Sequence, residues 1–122
     1  PPNLQAAVAY GLAKDDAYFA DMRAELQRAR DLFHAGLDAA GFEVLPSAAT
    51  YFINVDLASA GITDDVAFCK ALVRDHGVAA IPVSAFYAET PVTSVVRFCF
   101  AKKDETLTGA LDRLSQVFAK AA

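Results

Sequence analysis

The sequence predicts an α+β domain: a small mixed or antiparallel sheet with helices packed on one face, preceded by a long helix. Three observations predict it. Apolar residues recur at intervals of three and four between Phe19 and Ala40, the period of a single helical stripe. Two later stretches, Thr50 to Leu57 and Val92 to Phe100, are rich in β-branched and aromatic residues. Strand-like stretches separated by one helical segment and followed by another suit a layer of helices on a sheet.

Taken in order, a short helical stretch is expected from about Asn3 to Ala13. The long helix, about residues 16–40, buries Phe19, Met22, Leu26, Ala29, Phe33, Leu37 and Ala40, and Gly41 stands at the usual C-terminal capping position. Asp21, Glu25, Arg28, Asp31 and Asp38 lie between these positions and read as a solvated face, with His34 half-exposed. Phe42 to Leu45 and Thr50 to Leu57 read as two strands joined by a tight turn at Pro46-Ser47-Ala48. Thr63 or Asp64 then caps a helix carrying Val66, Cys69, Leu72 and Val73, which stops at His76-Gly77 and places His76 where it favours the helix dipole. Val78 to Ile81 and Val92 to Phe100 are β-rich, with the irregular segment Pro82 to Pro91 between them. Asp104 caps a last helix with Leu107, Ala110, Leu111, Leu114, Val117 and Phe118 on one side.

With 122 residues and no repeat or linker, one domain with one hydrophobic core is expected. A hydrophobic share of 55% exceeds that of an average soluble domain, so some apolar surface is free to cover an interface. Eleven basic and fifteen acidic residues are scattered rather than clustered, which argues against a nucleic-acid partner. The weakly polar run Gly77 to Ala88 contains Pro82 and falls short of the about 20 residues that span a bilayer, so no membrane partner is expected. The chain opens on Pro1-Pro2-Asn3 without Met, a charged leader or an apolar segment, which predicts no signal peptide and a chain cut from something longer. Cys69 and Cys99 read as free thiols of a reducing, cytoplasmic compartment.

A search for chemistry returns little. His34 and His76 are isolated and neither cysteine has a near neighbour, so no metal site is expected. Ser84 lacks the glycines of a nucleophile elbow, and no phosphate-cradling glycine motif occurs. Arg97 stands out because Val95-Val96-Arg97-Phe98-Cys99-Phe100 is otherwise apolar, and burying an unpaired guanidinium is expensive. Alternation puts Val96, Phe98 and Phe100 on one face and Val95, Arg97 and Cys99 on the other, so Arg97 points toward a possible cleft. Its planar fork suits a carboxylate, whether from a ligand or from an internal Asp or Glu. The strand pattern alone leaves both readings open, and the internal ion pair or edge-strand arginine is the commoner of the two.

Four stretches together resemble one family. Leu4-Gln5-Ala6-Ala7-Val8-Ala9 is similar to a Gln-x-Ala-x-Ala helix start. Arg30-Asp31, Leu37 and Gly41-Phe42 are similar to R-D-x-L-x-x-x-L-x-x-x-G-F, and Pro46 to Phe52 resembles P-x-G-T-Y-F. Gly77-Val78, Ile81 to Tyr87 and Val96 to Ala101 resemble G-V-x-x-x-P-G-x-x-F followed by h-R-h-x-F-A, where h is apolar. These phrases occur in the order found in the class I/II aminotransferases, the pyridoxal-phosphate-dependent enzymes of the aspartate-aminotransferase fold, fold type I. Ala49 and Val83 depart from the pattern, since both positions usually carry glycine.

The resemblance implies that residues 1–122 are the C-terminal small domain of such an enzyme, including the connecting long helix, without the large domain that binds pyridoxal phosphate. It assigns Arg97 to the α-carboxylate of an amino acid or 2-oxo acid substrate and places Tyr51, Phe52 and Phe86 near the substrate entrance. It implies a cytoplasmic homodimer when intact. Lys14, Lys70, Lys102, Lys103 and Lys120 lack the Ser/Thr-rich context of the cofactor-carrying lysine, so no catalytic or cofactor-binding residue is expected here and the chain alone is expected to be inactive. Two other classes remain: a non-catalytic ligand-binding or regulatory domain, and a lyase of the same fold.

Overall fold

The computed structural model describes residues 1–118. Helix α1 spans Pro2–Leu12 with Pro2 at its first position, where the missing N–H is no loss, and none of its residues is buried. Helix α2, Asp16–Ala39, starts where the Asp15 carboxylate accepts the Tyr18 N–H at 3.0 Å. It ends in a Schellman turn: Gly41 takes φ 87° and donates to the Asp38 carbonyl, while the Phe42 N–H reaches the Leu37 carbonyl at 3.1 Å.

The sheet is antiparallel throughout, in the order β1 (Glu43–Val44), β2 (Phe52–Asp56), β4 (Val95–Cys99), β3 (Ile81–Pro82). Each strand is shorter than its apolar run predicts. The register Glu43↔Asp56 and Val44↔Val55 leaves all of 45–51 as the connection, so the tight turn expected at Pro46-Ser47-Ala48 is a wider loop. Ser47 Oγ braces that loop by donating to the Phe52 carbonyl at 2.9 Å.

Cross-strand pairs Ile53↔Phe98 and Val55↔Val96 put four buried side chains on one face. They join Ala29, Phe33 and Leu37 of α2 and Leu107 and Leu114 of α4 (Asp104–Leu114) in one core. The long stripe of α2 is therefore buried only in its second half: Phe19 and Leu26 are half-buried and Met22 is exposed. Length explains this, since 24 residues of helix run about 36 Å and a five-residue strand about 17 Å.

Helix α3, Asp65–Ala71, is capped by the Asp64 carboxylate, which accepts the Ala67 N–H at 2.8 Å. It widens into a π-helical turn, Leu72–His76, and stops at Gly77 with φ 64°. Its buried set is Asp65, Cys69 and Leu72, whereas Val66 and Val73, both expected inside, are exposed. Residues 65, 69 and 72 form one helical stripe, and so short a helix buries only one. At α4 the cap is Lys103 without a side-chain bond, not Asp104. Asp104 sits in the first turn and takes both terminal nitrogens of Arg28, at 2.8 and 3.0 Å, tying α4 to α2. Helix α4 closes at Leu114, so Val117 and Phe118 flank the core from turns beyond it. No helix among the described residues is long and apolar enough to cross a membrane.

Candidate functional site: a guanidinium between two aromatic rings

The face of the sheet opposite the helical core carries Phe52, Asn54 and Asp56 of β2 and Val95, Arg97 and Cys99 of β4. Arg97 lies at the centre of this face, because β4 is flanked by β2 and β3 and Arg97 is level with both Asn54 and Ile81. Alternation in β4 thus places Arg97 away from Val96, Phe98 and Phe100, as its sequence context predicts.

Three contacts hold the guanidinium. Its Nε donates to Asn54 Oδ1 at 3.1 Å. Phe52 and Phe86 each place a ring centroid 5.2 Å from Arg97 Cζ, within cation–π range on both. Neither terminal nitrogen has a hydrogen-bond partner among the described residues, and Arg97 makes no ion pair with any of them. Asp56, the one carboxylate on this face of β2 and β4, is engaged elsewhere: the Ala58 N–H, at 2.9 Å, and the Ser94 hydroxyl hold it below the usual carboxylate range. The internal ion pair that an arginine in such a strand ordinarily implies is therefore absent among the described residues. Arg97 lines a depression of about 270 Å³ with the 46–50 loop, Phe52 and Asn54, and also a cavity of about 490 Å³ with Ile81, Cys99 and Lys102.

Of the sequence-predicted residues, Arg97, Phe52 and Phe86 come together. Tyr51 does not join them at the guanidinium: its ring packs against Phe52 at a 42° tilt, centroids 4.4 Å apart, and lines a separate groove with Met22, Leu26 and Phe100. Asn54 escaped sequence reasoning, although a polar side chain between Ile53 and Val55 in an apolar strand was a usable signal. The glycine departures at Ala49 and Val83 cause no strain at those positions, because the positive φ falls on Thr50, at 66°. No group of His, Cys, Asp and Glu able to hold a metal exists among the described residues. Lys14, Lys70, Lys102 and Lys103 are all exposed, and Lys120 lies outside the described residues.

The family model described as aminotransferase class I and II matches residues 1–114. Among curated proteins, the methionine aminotransferase of Escherichia coli is 38% identical over 113 residues, which cover 93% of this chain and 29% of the relative. A probable N-succinyldiaminopimelate aminotransferase of Mycobacterium tuberculosis is 42% identical over 120 residues, 91% of this chain and 30% of the relative. Kynurenine–oxoglutarate transaminase 3 of Rattus norvegicus is 34% identical over 107 residues, 78% of this chain and 24% of the relative. The solved N-succinyldiaminopimelate aminotransferase from Mycobacterium tuberculosis superposes with a TM-score of 0.83 at 45% identity, covering 92% of this chain and 29% of that one. The chain thus spans less than a third of the length of the relatives it matches.

Proposed function

This chain belongs to the aminotransferase class I and II family, and from that premise we propose that it is the C-terminal small domain, with its connecting helix, of a pyridoxal-phosphate-dependent aminotransferase. In that enzyme the cofactor carries the amino group between an amino acid and a 2-oxo acid. Arg97 binds the substrate α-carboxylate. The observation that carries this reading is a guanidinium fixed on three sides by Asn54, Phe52 and Phe86 while its two terminal nitrogens stay unpaired. Holding the fork in place before substrate arrives lowers the ordering cost of binding and orients the reacting end of the substrate.

The names of the relatives add a second support. Methionine, N-succinyldiaminopimelate and kynurenine differ in their side chains and share an amino-acid head. A site that reads the carboxylate serves all three. All described lysines are exposed, including Lys102, which lines a second cavity that Arg97 also borders, and this reading gives none of them to pyridoxal phosphate. The lysine and phosphate-holding groups are assigned to the large domain, and the intact enzyme to a cytoplasmic homodimer.

Replacing Arg97 with Lys in the full-length enzyme keeps the charge and loses the fork. The expected loss of carboxylate binding is about 1.5–3 kcal/mol, read as a rise of roughly 10- to 150-fold in the substrate KM or a matching fall in kcat/KM. Unchanged KM and kcat would remove Arg97 from the site.

A further inference from the structure

Asp65 is the buried charged residue of the described structure, 1% exposed, and nothing in the carboxylate site touches it directly. Its two oxygens are both spent on one residue. Oδ2 accepts the Ser84 backbone N–H at 2.8 Å and Oδ1 accepts the Ser84 hydroxyl at 2.7 Å. The Asp65 N–H in turn donates to the Thr93 carbonyl at 2.8 Å, so one residue ties α3 to both ends of the 83–93 segment. Burying a carboxylate is costly unless its acceptors are satisfied, and here both are.

What that expenditure secures is the turn that carries Phe86. The ladder between β3 and β4 ends at Pro82↔Val96, so from Val83 onward the sheet no longer holds the chain. Residues Val83–Phe86 form a single 3₁₀ turn, and Phe86 is 62% exposed, so burial does not fix its ring. Among the described residues, the side-chain hydrogen bonds reaching the 83–92 segment are the two that Ser84 donates to Asp65. Two residues further on, the Phe86 ring lies 5.2 Å from Arg97 Cζ.

We infer that Asp65 is a positioning residue for the carboxylate site: by gripping Ser84 it sets Phe86 against one face of Arg97. This rests on the assignment of Arg97 to the substrate carboxylate. Phe52 sits on a strand and needs no such device; Phe86 sits on a free turn and does. The affinity for substrate carboxylate is thereby coupled to a side chain buried at the start of α3.

The test uses the full-length enzyme and its best amino donor among L-methionine, L-kynurenine and N-succinyldiaminopimelate. Asp65→Ala should raise the donor KM roughly tenfold, within the range of coupling between contacting residues, and raise it more than it lowers kcat. Asp65→Asn should restore most of the affinity, because its oxygen accepts the Ser84 N–H and its amide donates to Ser84 Oγ. Ser84→Ala, which keeps the backbone bond and removes one acceptor's partner, should raise KM by a smaller factor, and it carries the test if Asp65→Ala fails to fold. In a Phe86→Ala background neither substitution should raise KM further. The inference is overturned if KM rises equally with and without Phe86, or if kcat falls while KM holds, either of which marks a purely structural role. If Arg97→Lys leaves KM unchanged, or no donor is transaminated, the carboxylate reading itself fails and takes this one with it; a defect in Arg97→Lys beside unaffected Asp65→Ala and Ser84→Ala sinks the coupling alone.

Discussion

At the scale of single residues, the contrast between Arg97 and Cys69 shows how environment selects chemistry. Arg97 is partly enclosed, supported on three sides and still has donors to spare, which is what the proposed carboxylate role requires. Cys69 is buried, and that burial, reinforced by the nearby Asp65 carboxylate, pushes its thiol up to about 11. Such a thiol is a packing group and not a nucleophile near neutral pH. The sign of its effect on stability follows. A folded-state value above the ordinary 9.0 stabilises the fold while the thiol stays protonated, and that contribution is lost as pH rises from about 9 toward 11. Denaturant midpoints should therefore fall over this alkaline window, and Cys69→Ala should flatten the slope while lowering stability at neutral pH. A slope identical in both proteins would show that other groups govern alkaline unfolding.

At the scale of elements, α2 and α4 meet at a glycine. A Cβ placed on Gly36 would overlap both methyls of Leu111 and lie 2.9 Å from its Cγ, so the side chain would have to move as a whole. Gly109, within α4, has nothing within 4 Å of the same position. One substitution should thus have opposite signs at the two sites. Gly109→Ala should stabilise by about 0.5–1 kcal/mol through helix propensity alone. Gly36→Ala gains the same propensity but overpacks the interface by about 1–3 kcal/mol, leaving a net loss of up to about 2.5 kcal/mol. Urea denaturation of both variants checks the pair, and a stabilised Gly36→Ala would mean that α2 and α4 separate more easily than their contact implies. The period of α2 reveals its buried stripe but not how much of that stripe is covered, since coverage depends on strand lengths elsewhere in the chain.

At the scale of the whole molecule, the proposed reading gives this chain the substrate grip and a separate domain the cofactor. Every described lysine is exposed; Lys102 lines a cavity that Arg97 also borders, and none lines the smaller depression beside the 46–50 loop. Mixing the purified chain with pyridoxal phosphate and borohydride should give only weak, scattered lysine modification and no transaminase activity. Stoichiometric labelling at one lysine, located by peptide mapping, would defeat the assignment of the cofactor site to a separate domain. Helix α1 buries none of its own residues and exposes Leu4, Val8, Tyr10 and Leu12.

The sequence by itself determined the order of elements, the antiparallel or mixed sheet, and the face of β4 on which Arg97 projects, because helix and strand periods are local properties of the chain. The resemblance put Tyr51, Phe52 and Phe86 near a substrate entrance, through an ordered series of phrases rather than through any one of them, and did not say which of them meets Arg97. Only the tertiary structure decided that Arg97 lacks an internal carboxylate, that Asn54 holds its Nε, that Tyr51 turns to another groove, and that Asp65 belongs inside. Each of those depends on pairs far apart in sequence, such as Asn54 with Arg97 and Asp65 with Ser84, whose meeting is set by register and packing and leaves no periodic trace.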